Sequence, residues 1–425
     1  MKKINYKIRV NYLAIIAALF FLASCNKDLE QFSAIPTPVY PTGNGIAATI
    51  AANPNYSFYS AMITRSGLTA SLNDLTKTFT LFATDNAGMK LFVTAASGGA
   101  VPPGAPDAVF LGFISTSLPA ASAAGIIQYN TLGQKLPFDS VRSTFPNYPF
   151  TSQIILDPTQ PFVRMPIFPV RGTPYSYLNT MPIIAGDMLA ANGIIHTSYS
   201  IVAPPTATLR TMIAAESTLS YFRAAVLRAD SGAVVKPNND STNFLNYLLG
   251  YGVTNMTVLP PNNAAFQTLI FGLVYTQVLA ATGSTTIATA QANGAVAAGP
   301  AFLNTNNVST ALVKGIIAYH FLASNSTPGN TTGSYKPDIR IFSVNVPSTA
   351  TFVKTLVNSG IAVHPGVSAL AVYAGPFTSS VTFTGYTISP TGVVSATGTP
   401  ATVLKKDNLA VNGIYHIIDK VILPQ

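Results

Sequence analysis

The chain has 425 residues, of which 48% are hydrophobic and only 9% charged, so it can bury the cores of two or three domains. Its formal net charge is +9. Residues 1–24 carry four positive charges and no negative one, so their removal would leave +5 (9 − 4 = 5). A surplus this small, without a basic cluster, does not favour a nucleic-acid partner. The single cysteine excludes an intramolecular disulfide.

The start of the chain has the pattern of a secretory leader. A basic segment is followed by an apolar stretch, residues 13–23, that is too short to span a bilayer comfortably. It ends in Leu-Ala-Ser-Cys25, which resembles the lipobox of bacterial lipoproteins, where the cysteine is acylated. We therefore predict a lipoprotein-type signal peptide over residues 1–24 and a lipidated, Pro-rich tether over residues 25–43. A lone buried thiol is the alternative role for Cys25.

The elements predicted in the first half are helices and short strands. Apolar residues recur at helical spacing over 56–72 and 121–131, whereas 78–83 alternates as a strand does. Asp85 is placed to cap a helix that follows this strand. Prolines break residues 137–174 into short strands.

The second half repeats this order with longer connections. The small-residue stretch 280–299 is expected to be a surface loop. Alternation of Thr with apolar residues over 373–403 predicts a hairpin that enlarges the sheet. Helices are predicted over 209–227, 242–249 (capped by Asp240-Ser241) and 308–319, a strand over 256–260, and a further helix from 262.

Each half ends in a similar apolar strand. Residues 412–424 read Asn-Gly-Ile-Tyr-His-Ile-Ile-Asp-Lys-Val-Ile-Leu-Pro, with apolar side chains on both faces, as in a buried strand. Residues 192–204 repeat the pattern as Asn-Gly-Ile-Ile-His-Thr-Ser-Tyr-Ser-Ile-Val-Ala-Pro. Two copies of one closing strand predict two copies of one domain, over residues 44–205 and 206–425.

Three landmarks occur in one order in both halves, and together they resemble the fasciclin (FAS1) domain family. The first is Thr-Val-Leu-Pro-Pro-Asn-Asn-Ala-Ala-Phe at 257–266, with a looser copy at 80–89. The second is a helix that ends in Tyr-His at 319–320, matched imperfectly by Tyr-Asn at 129–130. The third is the closing strand, in which Asp419 of the second half is aligned with Ser198 of the first.

The resemblance implies an α+β fold with two tandem FAS1-like domains. Each domain would be a small β-sandwich or wedge with helices packed along one side. The landmark residues would be structural, and some could also contact a ligand. They are Tyr129, Asn192, Gly193, His196, Tyr319, His320, Asn412, Gly413, His416 and Asp419.

The sequence lacks the usual catalytic and metal-binding patterns. The four histidines, His196, His320, His364 and His416, have no His-x-x-x-His spacing, although the fold could bring His320, His416 and Asp419 together. Each histidine fits better as a half-buried hydrogen-bonding residue. No Gly-x-Ser-x-Gly elbow occurs, and the 14 acidic residues form no evident carboxylate pair for glycoside hydrolysis. We expect no enzymatic activity, no metal and no cofactor.

The FAS1 resemblance implies adhesion by contact with an extracellular protein or polysaccharide. With the predicted anchor, this describes a lipid-anchored outer-membrane protein. Residues 26–30 resemble a surface-export signal of Bacteroidetes lipoproteins and favour exposure on the cell surface. The chain has no Trp to stack on sugars, but its 19 Tyr could take that role. The alternative is an accessory glycan-binding lipoprotein of an outer-membrane polysaccharide-uptake system.

We predict that Cys25 carries the lipid. Metabolic labelling with a fatty-acid analogue should mark the wild-type chain and leave Cys25→Ala unlabelled, because acylation requires the thiol. Equal labelling of the two chains would contradict the prediction.

Overall fold

The computed structural model describes residues 41–231, 245–305, 308–324, 335–361, 363–389 and 394–424. The predicted signal peptide, Cys25 and the predicted cap at Asp240-Ser241 lie outside the described residues. Thr42–Gln425 form one compact unit. The domain boundary between residues 205 and 206 therefore stays a prediction.

The first half has the predicted mixture of helices and short strands. Asp85 caps a helix as predicted, because its carboxylate accepts a hydrogen bond from the backbone N–H of Gly88 at 2.9 Å. The helices are α1 Ile46–Ala51, α2 Ser57–Ser66, α3 Thr69–Leu72, α4 Asn86–Ala96, α5 Asp107–Gly112 and α6 Ala120–Tyr129, with a π-helical turn at Phe113–Ser117. The strands are β1 Phe79–Thr84, β2 Thr131–Leu132, β3 Phe150–Ile155, β4 Arg164–Ile167, β5 Pro169–Val170, β6 Ser176–Leu178, β7 Met181–Ala190 and β8 Gly193–Ser198.

The second half has the same order with longer elements. Asn262 caps the helix after the first strand, as Asp85 does in the first half, by accepting from the N–H of Ala265 at 2.8 Å. The helices are α7 Leu209–Ala215, α8 Ser220–Ala229, α9 Leu245–Gly250, α10 Asn263–Thr282, α11 Thr285–Ala297 and α12 Thr310–Tyr319. The strands are β9 Met256–Val258, β10 Phe321–Leu322, β11 Thr351–Val353, β12 Val367–Ala374, β13 Phe377–Ile388, β14 Val394–Ala396, β15 Ala401–Ala410 and β16 Gly413–Ile418.

The loop predicted over 280–299 is wrong, because most of this stretch is helical. α10 continues to Thr282, and the Ser284 side chain then caps α11. Ala288, Ala292 and Ala295 recur at helical spacing and are buried. The small residues therefore allow α11 to pack closely on its neighbours. Alanine also has the highest helix propensity, which favours a helix over a loop here.

One further helix prediction needs adjustment, and the predicted hairpin is present. The helix predicted over 209–227 is two helices, α7 and α8, separated by a 3-10 turn at Ser217–Leu219. The hairpin predicted over 373–403 is present, because β13 pairs antiparallel with β14, with Tyr386 opposite Ala396. The turn of this hairpin lies outside the described residues.

The sheets of the two halves have the same central order. Hydrogen-bonded neighbours run β4-β3-β2-β1-β8-β7-β6-β5 in the first half and β10-β9-β16-β15-β13-β12-β11 in the second, with β14 on β13. In each half the closing strand lies parallel to the first strand, so that Phe79 faces Gly193 and Met256 faces Gly413. Every residue of β8 and β16 is buried, as predicted for the closing strands. The α+β class is confirmed.

The first sheet curls until its two edges are close together. β4 ends at Ile167 and β5 begins at Pro169, although the two strands stand at opposite ends of the strand order. Only Phe168 separates them along the chain. The first sheet is therefore closer to a small barrel than to the sandwich or wedge implied by the FAS1 resemblance.

Helices pack on one face of each sheet, as the resemblance implies. Leu81 and Ile195 of the central strands belong to the cluster that contains the helical residues, whereas Phe82 belongs to a cluster on the other face. The second half divides in the same way, with Val258 on the helical side and Leu259 on the other. Successive strand residues point to opposite faces, so these central strands must be apolar on both.

A further cluster joins the two halves. The rings of Phe168 and Phe342 meet edge to face, with 5.5 Å between their centroids, and both side chains are fully buried. The backbone of Phe168 also connects β4 to β5, so one residue takes part both in the closure of the first sheet and in the junction between the halves. The buried members of this junction core are Phe168, Val170, Tyr177, Phe342, Val344 and Ile414.

We predict that Phe168→Ala uncouples the unfolding of the two halves. The wild type should melt in a single calorimetric transition because the junction core belongs to both halves. Removing this ring should cost about 3–5 kcal/mol and produce two transitions. Two transitions in the wild type, at positions unchanged in the variant, would instead show that the halves unfold independently.

Candidate binding surface

Asn192 and Asn412 precede the closing strands and fasten the first helix of each half to the sheet. The side-chain oxygen of Asn192 accepts from the N–H of Ile46 at 2.9 Å, and its amide donates to the carbonyl oxygen of Leu72 at 2.9 Å. Asn412 accepts from the N–H of Leu209 at 2.8 Å and donates to backbone carbonyl oxygens. Both side chains are buried, so they satisfy interior backbone groups and face no ligand.

Gly193 and Gly413 follow these asparagines at positions where no side chain fits. A Cβ on Gly193 would lie 2.1 Å from the carbonyl oxygen of Phe79, and one on Gly413 would lie 2.4 Å from that of Met256. These carbonyls belong to the parallel neighbouring strands. Glycine therefore permits the close approach of the two central strands in each half.

His196 and His416 are hydrogen-bonded to backbone on both sides of the imidazole. Nε2 of His196 donates to the carbonyl oxygen of Leu136 at 2.9 Å, and its Nδ1 accepts from the N–H of Asp187 at 3.2 Å. His416 makes the equivalent bonds, at 2.9 Å to the carbonyl oxygen of Ile341 and 3.1 Å to a backbone N–H. Burial lowers the pKa of His196, which favours the neutral ring that these bonds require.

Tyr129 and Tyr319 end corresponding helices and point into the interior. The Tyr129 hydroxyl donates to the carbonyl oxygen of Pro166 at 3.2 Å, and that of Tyr319 donates to the carbonyl oxygen of Gly366. The ring of His364 packs edge-on against Tyr319, with 5.3 Å between centroids. Burial raises the pKa of both tyrosines, so both remain neutral hydrogen-bonding groups.

His320 and Asn130 occupy equivalent positions and connect the same two segments, although the second bond of His320 is accepted and that of Asn130 is donated. Nδ1 of His320 donates to the carbonyl oxygen of Ile316 at 2.8 Å, and its Nε2 accepts from the N–H of Ile422 at 3.1 Å. The Asn130 amide donates to the carbonyl oxygens of Ile126, also four residues earlier, and of Val202, at 2.9 and 2.8 Å. Each side chain thus ties the end of a helix to the segment after the closing strand.

Asp419 is half-buried and accepts from the N–H of Thr402 at 2.7 Å. The sequence alignment of Asp419 with Ser198 is wrong by one residue. In the strand pairing, Ser198 takes the place of Ile418, so the counterpart of Asp419 is Tyr199. The shared Asn-Gly and His give the same result, because Tyr199 and Asp419 both stand three residues after the histidine.

The ten landmark residues therefore form structural networks within each half and do not converge on one site. The described residues contain no group of three His, Cys, Asp or Glu side chains that could hold a metal ion. The cluster of His320, His416 and Asp419 considered from the sequence is not formed, because each of the three bonds to backbone instead. A ligand must be sought on the exposed surface.

A group of exposed aromatic residues lies where the halves meet. Here the turn before Phe377, between β12 and β13, rests against the first half. The Tyr177 hydroxyl donates to the carbonyl oxygen of Pro376 at 2.8 Å, and the rings of Tyr199 and Phe377 meet edge to face at 6.3 Å. We call the five aromatic residues Tyr175, Tyr177, Tyr199, Tyr373 and Phe377 the junction aromatic surface.

Three residues of the junction aromatic surface are exposed to solvent, and the other two are fixed by burial and hydrogen bonds. Tyr175, Tyr199 and Phe377 are 39%, 46% and 40% exposed. Tyr177 is buried beneath them, and burial, with smaller effects from the neighbouring Tyr373 and Tyr175, raises its pKa to about 12. The Tyr373 hydroxyl donates to backbone carbonyl oxygens at 2.9 and 2.7 Å. The exposed rings therefore stand on anchored neighbours, which lowers the entropy that a ligand would cost on binding.

Arg340 supports the junction from the interior. Its guanidinium lies 5.1 Å from the centroid of the Phe168 ring and donates to the carbonyl oxygens of Ala410 and Val411 at 3.3 and 3.1 Å. The side chain is fully buried, and no carboxylate of the described residues forms an ion pair with it. Burial lowers the pKa of Arg340 to about 10, so it is still charged at neutral pH.

Comparison with known proteins gives a structural likeness. No family model and no curated protein matches the chain. Among solved structures, the chain is similar to a FAS1 domain pair from the insect cell adhesion molecule fasciclin I. That likeness has 12% sequence identity and a TM-score of 0.29, and it covers 86% of this chain and 96% of the other.

The sequence contained only a general signal for the junction aromatic surface, namely 19 Tyr and no Trp. Tyr175 and Tyr177 lie about two hundred positions before Tyr373 and Phe377, and only the packing of the halves brings them together. Tyr175 and Tyr177 are two residues apart, so in an extended segment they would share one face. Nothing in the local pattern indicates which face meets the second half.

We predict that His320 makes stability depend on pH and that Asn can replace it. Burial holds the pKa of His320 at about 4, below its ordinary 6.5, so between these values the unfolded chain binds a proton that the folded chain excludes. Stability should therefore fall as the pH drops through this window. His320→Asn, which copies Asn130 of the first half, should remove this loss of stability, which amounts to about 2 kcal/mol at pH 5.

The measurement is urea unfolding of both chains at pH 7 and pH 5. Comparing the two chains cancels the carboxylates and other histidines, which titrate in both. We expect the variant to gain stability relative to the wild type as the pH falls. Parallel pH profiles would show that His320 is not held neutral by the fold.

Proposed function

We propose that this chain is a lipid-anchored adhesion protein that binds an extracellular protein or polysaccharide through the junction aromatic surface. The observation that carries the proposal is the exposure of Tyr175, Tyr199 and Phe377 over anchored neighbours at the junction of the two halves. Edge-to-face rings present flat apolar faces and polar edges together. Such surfaces are enriched where proteins recognise other molecules.

The two sets of FAS1-like landmarks support an adhesion role over catalysis. Their polar residues are used inside the fold to satisfy backbone groups. Two such frameworks in tandem would act as a scaffold, and contact with a partner would fall to surfaces that the landmarks leave free. The junction aromatic surface is such a surface and needs both halves.

The predicted anchor supports action outside the cell. Acylation at Cys25 would fix the chain to the outer membrane, and the compact unit begins at Thr42, after the Pro-rich tether. A tether of this kind would hold the junction aromatic surface at a distance from the bilayer. Exposure on the cell surface belongs to this proposal as well.

A polysaccharide partner is supported by the aromatic character of the surface. Tyrosine rings can stack on the apolar faces of sugar rings while their hydroxyls bond to sugar hydroxyls. This keeps the glycan-binding lipoprotein of a polysaccharide-uptake system as the second candidate function. The two candidates differ in role, adhesion or polysaccharide uptake, and share the same surface.

The test is to screen the mature chain from Asn26, which lacks the lipid, against arrays of glycans and of extracellular matrix proteins. For any ligand found, Tyr199→Ala/Phe377→Ala should weaken binding about tenfold or more, because both exposed rings are lost. A glycan as the sole ligand would favour the second candidate.

The chain offers a matched control in Tyr247→Ala/Tyr251→Ala. These rings are also neighbours, with 5.4 Å between centroids, and are 40% and 42% exposed, but they belong to the α9 region of the second half. This variant should bind like the wild type. Equal loss in both double variants, or no loss in the junction variant, would overturn the assignment of the surface.

A further inference from the structure

The second half contains a long apolar helix that joins the core through its first turns only. α10, Asn263–Thr282, is long and apolar enough to cross a membrane, with a mean hydropathy of 1.5 in its most apolar window. Core helices of soluble proteins often pass the same test, but they are mostly buried. Here only 17% of the window is buried, and the helix lies in the middle of the chain. Its surface is therefore apolar and largely accessible.

The region around α10 is also free of charge. From Ser241 to Val313 the sequence contains no Asp, Glu, Lys, Arg or His. Exposed helices of soluble proteins normally carry charged residues on their solvent faces. A specific protein partner would find no charge here to fix its register, whereas hydrocarbon would meet no charge to desolvate.

A cavity of about 1340 Å³ lies beside α10 and opens to solvent. α11, α12 and the turn Gly299–Asn304 complete its walls, and apolar side chains such as Leu273 and Phe302 dominate the lining. Among the described residues no ionisable side chain lines it, and Gln277 and Gln291 supply uncharged donors and acceptors. Its volume exceeds the range of about 300–1,000 Å³ common for small-molecule pockets.

The first half shows why the cavity exists. There the connection between α4 and α6 places Phe110 and Ile114 in the core, where both are fully buried. In the second half the corresponding connection is α11 and the turn after it, and the residues that α11 adds to the cavity wall include the small Gly294 and Ala295. Small side chains on the wall leave space where the first half has aromatic and branched ones.

We propose that this cavity binds the hydrocarbon chain of an uncharged lipid of the monoacylglycerol class. The uncharged apolar lining matches an acyl chain, and the amides of Gln277 and Gln291 match the hydroxyl groups of a glycerol head. A polysaccharide would leave most of its hydroxyls unpaired against this wall. Because the site is concave, it favours a single lipid molecule over the flat surface of a bilayer.

The experiment titrates a fluorescently labelled monoacylglycerol, below its aggregation concentration, into the mature chain from Asn26. Saturable binding of one probe per chain is expected. Gly294 lines the cavity, and a Cβ added there meets no atom within 4 Å. Gly294→Leu should therefore fill the cavity without unfolding α11 and weaken binding about tenfold or more.

Gly125→Leu is the matched control, because Gly125 also lies within a helix, α6, with nothing within 4 Å of an added Cβ, and it is remote in sequence from the cavity. It should bind the probe as the wild type does. Leu273→Gln, at a lining residue that is 49% exposed, is a second test that adds polarity with little change in volume, and it should also weaken binding.

Three outcomes would overturn the proposal. The first is a failure of the titration itself: the wild type binds no probe, or Gly294→Leu binds the probe as tightly as the wild type does. The second is flotation of the chain with phosphatidylcholine vesicles without uptake of the free probe, which would assign the face to a bilayer. The third is a dimer, measured by light scattering, that Leu273→Gln dissociates while the wild type binds no probe, which would assign it to a second copy.

Discussion

A strand that is buried on both faces must satisfy its polar side chains within the protein, and each of the two closing strands carries one histidine that does so with backbone groups. His196 and His416 join the loop at Leu136 or Ile341 to the preceding strand. That strand bends at Asp187 in the first half, where φ is 58°, and Asp187 in turn accepts from the N–H of Phe138 at 2.9 Å. The left-handed backbone, the loop and the histidine thus depend on one another, and the second half repeats all three.

Local signals in the sequence were sufficient to predict the helix caps and the buried closing strands. They were insufficient for features that depend on packing between distant segments. The caps Asp85 and Asn262 and the buried closing strands were predictable because each rests on a few neighbouring residues. The stretch 280–299 was not, since alanine-rich sequence fits a loop or a helix until a partner helix is present. The alignment of Ser198 with Asp419 could have been corrected from the sequence, since Tyr199 and Asp419 both stand three residues after the histidine, and the strand pairing agrees.

The two halves tolerate different residues wherever the backbone contact is the same. Asn130 and His320 both donate to the carbonyl four residues earlier and both reach the segment after the closing strand. Their exchange therefore keeps the helix end in place while changing what titrates. The segment that follows the capped helix, α4 in the first half and α10 in the second, is less constrained in sequence. It only has to lead the chain to the next core helix, α6 or α12. The first half fills this connection with Phe110 and Ile114, whereas the second builds it from α11 and the turn Gly299–Asn304.

Arg340 shows how the junction is joined to this framework. A buried charge without a carboxylate partner costs several kcal/mol of desolvation, which hydrogen bonds to backbone carbonyls, at about 1.5–3 kcal/mol each, partly offset. The carbonyls that Arg340 uses belong to Ala410 and Val411, in the turn that leads into Asn412 and Gly413. Its other face lies over the ring of Phe168, in the first half. The same side chain thus fixes the start of the second closing strand and the residue that connects the edges of the first sheet. A shift of one half against the other would move the Phe168 ring away from this charge, whereas the hydrogen bonds of Arg340 stay within the second half. The aromatic residues above it are consequently held in one arrangement by the interior of both halves.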